Sequence, residues 1–232
     1  EGHDVAPHYL PDGRIVFSST RQRQARAILL DEGKPQFAAQ DEDRAEPAFV
    51  LHVMDADGSG LRQISFNQSH DLDPAVLDDG RIVFSRWENA GPNNEINLYT
   101  VRPDGTGLEL LYGAQSHATG TDGSDVHFLD PRPATPGRVV ALAQPFRAPD
   151  LGAQVLEIDV GNYVENTQPT LPNRGVLAGP AQVPATINVV TTLAGPSPGG
   201  RYSSAFPLRD GTGRLLVTWT QCRLVEGERI VP

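Results

Sequence analysis

The sequence has few of the residues that build covalent or metal frameworks. It holds one cysteine, Cys222, and one methionine among its 232 residues. A single cysteine can form no disulfide within the chain, no cysteine-based zinc cluster and no C-x-x-C-H haem attachment. We therefore expect no bound cofactor in this chain, apart from the divalent metal considered below.

Long apolar runs are also missing. No stretch reaches the roughly 18 consecutive apolar residues that suggest a membrane-spanning helix. Residues 1–4 (EGHD) lack the basic and apolar regions of a signal peptide. The sequence predicts no membrane span, and it is compatible with the mature form of a secreted protein.

Basic charge is scarce, and lysine most of all. The chain carries 19 basic and 29 acidic side chains, a formal net charge of −10, and its only lysine is Lys34. An acidic surface repels a phosphate backbone. We therefore expect no nucleic-acid partner, and we interpret the preference for arginine as coding bias.

Turn-forming residues, by contrast, are abundant, with 23 Gly and 20 Pro. Segment 12–18 (DGRIVFS) recurs residue for residue as segment 79–85, and a seven-residue identity at a fixed offset indicates an internal repeat. In both copies an Asp-Gly turn leads into a β-branched and aromatic run. Each copy therefore predicts a turn entering a strand.

A second repeated unit follows each copy of the first. Segment 51–61 (LHVMDADGSGL) aligns with segment 98–108 (LYTVRPDGTGL), so alternating apolar residues again lead into a glycine-containing turn. Each complete repeat predicts four antiparallel strands, which is the composition of one β-propeller blade. The fold class is therefore all-β, a propeller of four-stranded antiparallel blades.

The repeats assign the whole chain, 1–232, to a single propeller region. Blade 1 covers about 5–66 with an insertion at 21–47, and blade 2 covers about 70–112. Blade 3 covers about 117–193, with 187–193 as its fourth strand, and it contains a long loop at 161–185. Since a loop of that length is uncommon, we expect it to be functional or packed on another element.

A partial fourth blade covers about 202–232, with two recognisable strands. An unclosed terminal blade exposes apolar faces and a strand edge. We therefore expect an incomplete propeller that belongs to a longer polypeptide or is completed by a partner. A self-closed four-bladed ring is the alternative.

The repeat resembles a known family. Segments 73–74 (DP), 79–85, 97–99 (NLY) and 104–107 (DGTG) resemble the WD40-like PD40 repeat of the TolB propeller family. Segment 70–74 (HDLDP), leading to 85–87 (SRW), resembles more narrowly proteins related to the hydrazine synthase alpha subunit. The first resemblance implies an extracytoplasmic propeller, periplasmic or secreted, that acts as a platform for proteins. The second implies a propeller beside a haem-bearing region, and neither carries a catalytic residue onto this chain.

Three histidines suggest a metal site. His70 and His127 each lie shortly before a predicted inner strand, and His117 lies in the segment between them. Repeat-equivalent positions converge around a propeller axis, where imidazole nitrogens from neighbouring blades can bind a divalent metal. Alternatively, these side chains hydrogen-bond turns and strand ends.

These observations support three functions. The first is a non-catalytic propeller module that binds or positions a protein partner, or the rest of its own polypeptide. The second is the accessory propeller of a haem-dependent oxidoreductase, and the third is a metal-dependent enzyme using His70, His117 and His127. No phosphate loop occurs in the sequence, so the residues themselves favour the module over an enzyme.

Overall fold

A computed structural model describes the architecture. The residues it describes are 3–21, 48–67, 69–90, 93–145, 152–188, 190–193, 195, 197–221, 224–226 and 229–231. Most of the predicted insertion at 21–47 lies outside them, and so does Cys222. The chain divides into two compact units, Glu1–Leu110 and Leu111–Pro232.

The described residues are all-β. They form three four-stranded sheets and three two-stranded sheets, with no α-helix and with two short 3₁₀ turns, Thr121–Gly123 and Leu171–Asn173. All strand pairs whose register is defined are antiparallel. The predicted class and the four-stranded blade are confirmed. The assignment of the whole chain to one propeller region stays a prediction.

The first two sheets follow the repeats. The sheet of blade 1 is β1 (Asp4–Tyr9), β2 (Ile15–Ser19), β3 (Val50–Met54) and β4 (Arg62–Gln63), paired in chain order. The sheet of blade 2 is β5 (Asp71–Val76), β6 (Ile82–Ala90), β7 (Asn93–Val101) and β8 (Glu109–Tyr112), in the same order. In both sheets the repeated segment supplies the first turn and the second strand.

Apolar side chains from these two sheets form the core of the first unit. Val16, Leu51 and Val53 of blade 1 are buried with Ile82, Phe84 and Val101 of blade 2. Backbone bonds add to this packing, since Asp71 N donates to the carbonyl oxygen of Phe49 (2.8 Å). Two blades therefore stack face to face, and β5 packs directly on the preceding sheet.

Blade 3 and a further pair of strands lie in the second unit. The third sheet contains β9 (Val126–Pro133), β10 (Val139–Pro145), β11 (Gln154–Ile158) and, as its fourth strand, β14 (Gln182–Pro184). The prediction of 187–193 as that strand was wrong, because the chain pairs with β11 earlier, at Gln182 to Pro184. The remaining strands are β12 (Tyr163–Glu165), β13 (Gln168–Pro169), β15 (Arg201–Pro207), β16 (Leu215–Thr220), β17 (Leu224–Glu226) and β18 (Arg229–Val231).

The second unit repeats the joint seen in the first. Ala153, just before β11, exchanges two backbone hydrogen bonds with Tyr202 of β15 (2.8 and 3.0 Å). Val140, Val155 and Tyr202 are buried together in the core between blade 3 and β15. Strand β15 therefore packs on blade 3 through backbone hydrogen bonds and apolar side chains, as β5 packs on blade 1.

The first strand of each of blades 1, 2 and 3 contains a bulge at an equivalent position. Ala6, Asp73 and Asp130 have left-handed backbones, with φ of 51°, 52° and 49°, and each one precedes a proline. The strand register shifts at each of these places. Because a bulge bends a strand and increases its twist, the repeated X-Pro pair shapes the same strand in each blade.

Candidate functional site

The first turn of each blade ends in an arginine that anchors it. Arg14, Arg81 and Arg214 pair with the acidic residue of their own turn, Asp12 (2.7 Å), Asp79 (2.8 Å) and Asp210 (2.6 Å). Arg138 of blade 3 has no acid in its turn and instead reaches Glu157 of β11 (2.9 Å). The first turn of all four blades thus ends in an arginine that forms an ion pair, within the turn in three blades and with β11 in blade 3.

Hydrogen bonds keep the turn carboxylates ionised. The side chain of Arg14 lowers the pKa of Asp12, and the hydroxyl of Thr212, followed by the side chain of Arg214, lowers the pKa of Asp210. Burial acts to raise the pKa of Asp79, but the hydrogen bonds of Arg81 outweigh it, and that pKa is lowered as well. The turns therefore present fixed charges at neutral pH.

Two of these turns border a groove within the second unit. The groove has a volume of about 730 Å³, which is in the range of ligand-binding clefts. Its walls are the turn of blade 3, strand β14 and the turn between β15 and β16. The apolar lining includes Val140, Val183, Ala185 and Leu215, and the charged lining includes Glu157, Arg209 and Arg214.

The charges of the groove are held in place by neighbouring residues. Glu157 is bound by Arg138, and Arg214 is bound by both Thr212 and Asp210. Apolar walls with a few oriented polar groups suit a ligand that offers apolar side chains and backbone hydrogen-bonding groups. An extended peptide segment has both.

His70, the first predicted metal ligand, lies at the joint between blades 1 and 2. Its Nδ1 accepts a hydrogen bond from Phe49 N (3.2 Å), and its ring stacks on Trp87 with centroids 5.4 Å apart. Trp87 N donates to the His70 carbonyl oxygen (2.9 Å). His70 thus ties the connection before β5 to both neighbouring sheets.

His117 and His127, the other two predicted ligands, meet in the second unit. Their ring centroids lie 6.1 Å apart in an edge-to-face arrangement, and Nδ1 of the buried His117 bonds the carbonyl oxygen of Val126. Burial, followed by the charge of His117, lowers the pKa of His127 to about 4. His127 is therefore neutral at physiological pH.

Metal ligation by these histidines stays a prediction. His70 belongs to the first unit, and the other two belong to the second. In the described part of the chain, no group of three or more His, Cys, Asp or Glu side chains could hold a metal ion. Elemental analysis of protein purified without chelator would test the prediction.

Two buried polar clusters join side chains that no sequence pattern pairs. In the first unit Asp71 is fully buried, with Asn67 Nδ2 3.1 Å and Arg86 Nη1 3.3 Å from its Oδ1. In the second, Glu165 Oε2 accepts hydrogen bonds from Ser116 Oγ (2.6 Å) and Gln115 N (3.0 Å). The repeat places Asp71 in a motif but does not show that its side chain is buried beside Arg86. No sequence pattern connects Glu165 with Gln115 and Ser116, which lie about 50 positions earlier.

The Glu165 cluster explains the long loop at 161–185. Ser116 Oγ also accepts a hydrogen bond from Asn166 N (2.9 Å), and Gln182 donates to the buried hydroxyl of Tyr112 (2.7 Å). The loop contains β12, β13, a 3₁₀ turn and β14. It is therefore packed on the segment before β9, one of the two roles expected for it.

The strands, their order and their stacked sheets define a β-propeller fold. The hydrazine synthase of Kuenenia stuttgartiensis has a similar structure, with 17% identity, a TM-score of 0.64 and coverage of 95% of this chain. This chain corresponds to 30% of that protein chain. A protein described as TolB from Agrobacterium tumefaciens shares 17% identity over 69% of this chain and 47% of its own, with a TM-score of 0.43.

No protein family and no curated relative matches the sequence. The structural match to hydrazine synthase nevertheless confirms the expected resemblance at the level of the fold. In the described residues no helix is long and apolar enough to cross a membrane.

Proposed function

We propose that this chain is an extracytoplasmic propeller module that binds a protein partner and serves as a scaffold within a larger polypeptide or complex. The observation that carries the proposal is the groove of the second unit. Its apolar walls and turn charges are fixed by the sheet framework and by ion pairs, so little order has to be gained on binding. A pre-organised surface of this kind suits a peptide or a protein loop.

The experiment compares two substitutions in the second unit. Val183, in the groove, is 41% exposed, and Val164 of β12, outside the groove lining, is 37% exposed. Val183→Arg places a charge on the apolar wall, and Val164→Arg adds the same charge elsewhere. Both variants should fold, which circular dichroism and the unfolding midpoint would check.

Partner recovery from the native source is then measured by quantitative cross-linking mass spectrometry. We expect Val183→Arg to reduce cross-linked partner by on the order of 10-fold, a loss of about 1.4 kcal/mol, because the long side chain would occupy the groove and pair with Glu157, which lies directly opposite Val183 on β11. Val164→Arg should match the wild type. Equal recovery with both variants would contradict a binding role for the groove. Fractionation of the native cells tests the location separately.

A second candidate is the accessory propeller of a haem-dependent oxidoreductase. It is favoured by the structural match to hydrazine synthase across 95% of this chain. In that case the haem would be bound by a different part of the polypeptide, because the single cysteine rules out a C-x-x-C-H motif here. A haemochrome assay on the polypeptide from its native source would decide, and absence of haem would reject this candidate.

A further inference from the structure

The sheet formed by β15 and β16 has two strands, whereas the sheets of blades 1, 2 and 3 have four. In those three sheets the second strand, β2, β6 or β10, lies between the first and third strands. Strand β16 is the second strand of its pair, and within the described residues only β15 pairs with it. One edge of β16 thus lacks the neighbour that its counterparts have.

The composition of β16 is that of a central strand. Its sequence, LLVTWT, is as apolar as the equivalent run IVFSRW that opens β6. Four of the five residues of β2 are buried, whereas four of the six residues of β16 are exposed. An apolar strand at a sheet edge is a site that another strand can pair with.

One face of the two-stranded sheet is also uncovered. Phe206 and Leu216 lie directly opposite each other across the strands, and they are 54% and 65% exposed. On the other face Ala205 is buried in the core with blade 3, and Val217 packs against that core. Blade 3 therefore covers one face, and the opposite face presents a cross-strand apolar pair.

A short hairpin follows β16 along the chain. Strands β17 and β18 are antiparallel, and Glu226 at the end of β17 pairs with Arg229 at the start of β18. Blade 2 has the same arrangement, because Ala90 at the end of β6 pairs with Asn93 at the start of β7 across two residues. In blade 2 these two paired strands, β6 and β7, are the second and the third of the sheet.

We propose that β17 continues the second strand of this blade, that β18 begins its third strand, and that the residues following Pro232 in a longer polypeptide pair with the free edge of β16. The inference rests on the part of the proposed function that makes this chain a module of a larger polypeptide. The same continuation supplies the fourth strand of the blade, and the blade after it covers Phe206 and Leu216.

The chain's own continuation is a better occupant than a separate protein. In blades 1, 2 and 3 the third strand is the next strand of its sheet along the chain and pairs with the second. The β17–β18 hairpin already reverses the chain direction, as an antiparallel third strand requires. Tethering also gives the following strand an effective concentration far above that of a free partner.

Hydrogen exchange of the full native polypeptide tests the pairing without any substitution. Strand β10, the second strand of blade 3, is the internal reference. We expect β16 to exchange as slowly as β10. Exchange of β16 faster by on the order of 100-fold would overturn the proposal, because unpaired edge amides remain open to solvent. Protection that grows with protein concentration would assign the edge to a second copy and overturn it too.

Substitution of Leu216 tests the covered face. In the native polypeptide, Leu216→Arg should lower the thermal midpoint by about 5 °C or more, because the charge would be buried. Leu171→Arg is the matched control, since Leu171 is 76% exposed in the same unit. Equal midpoints for the two variants would place Leu216 in solvent and reject the proposal. Partner recovery by the groove is measured separately, so the two proposals can fail independently.

Discussion

Arg86 Nη1 lies 3.3 Å from Oδ1 of Asp71, an aspartate whose side chain is completely buried at the joint between two blades. The guanidinium also lies over the ring of Tyr99, 5.5 Å from its centroid. Burial raises the pKa of Asp71 to about 6, although Arg86, Ser65 and Asn67 all act to lower it. Desolvation thus outweighs the attraction of the nearby cation.

The raised pKa of Asp71 predicts a pH-dependent stability. Between about pH 4 and pH 6 the folded state binds more protons at Asp71 than the unfolded state does. The contribution of Asp71 to stability therefore falls as pH rises through this window, by up to about 3 kcal/mol. Asp71→Asn should remove that slope, and urea unfolding at several pH values would measure it.

Asp79→Asn is the control for this measurement, because the pKa of Asp79 is shifted in the opposite direction. The stabilisation by Asp79 is lost as pH falls, so the control should change the pH profile with the opposite sign. Parallel profiles for the wild type and Asp71→Asn would contradict the assignment.

His127 predicts a loss of stability in acid. Its pKa is lowered to about 4, so the folded state holds it neutral while the unfolded chain is protonated below about pH 6.5. The stabilisation is present above that pH and is lost as pH falls towards 4. His127→Gln should flatten this limb by about 2 kcal/mol, after allowance for the partial exposure of the ring.

Denaturant midpoints at pH 7.0 and 4.5 give the comparison. His8→Gln is a suitable control, since His8 lies in β1 of the other unit. If His127→Gln and the wild type lose the same stability on acidification, His127 is not responsible.

The left-handed backbone at Ala6 predicts that glycine is favoured there. A side chain in this conformation costs roughly 1–2 kcal/mol, while glycine loses about 0.5–1 kcal/mol more chain entropy on folding. With φ of 51°, Ala6→Gly should raise the free energy of unfolding by about 0.5–1 kcal/mol. Ala75→Gly, at a buried strand position, should lower it instead. Chemical denaturation would reveal the opposite signs.

We expect the Ser116 hydroxyl to stabilise the loop at 161–185. Its buried hydroxyl donates to Glu165 and accepts from Asn166 N. Ser116→Ala removes one hydrogen bond from each of these partners and should lower the free energy of unfolding by about 1–3 kcal/mol. Hydrogen exchange should show faster exchange at residues 163–169, and Ser203→Ala, at an exposed position, should change neither quantity. Unchanged exchange would mean that Ser116 does not hold the loop.

Local patterns predicted the blade architecture. An Asp-Gly turn before an apolar run, such as 79–85, specifies a turn and a strand through the backbone preferences of a few adjacent residues. The repeat then gave four antiparallel strands per blade, because the same short-range signals recur. The fourth strand of blade 3 was misplaced, since the short segment Gln182–Pro184 has no comparable apolar pattern and is held by pairing with β11.

The sequence by itself determined the all-β class, the turns and most strands, since these depend on neighbouring residues. Only the tertiary structure brought Glu165 to Ser116 and buried Asp71 beside Arg86. It also formed the groove from segments more than 50 positions apart, such as Val140 and Leu215. Burial and long-range pairing decide such sites because desolvation and packing depend on how distant parts of the chain meet, which a local pattern does not encode.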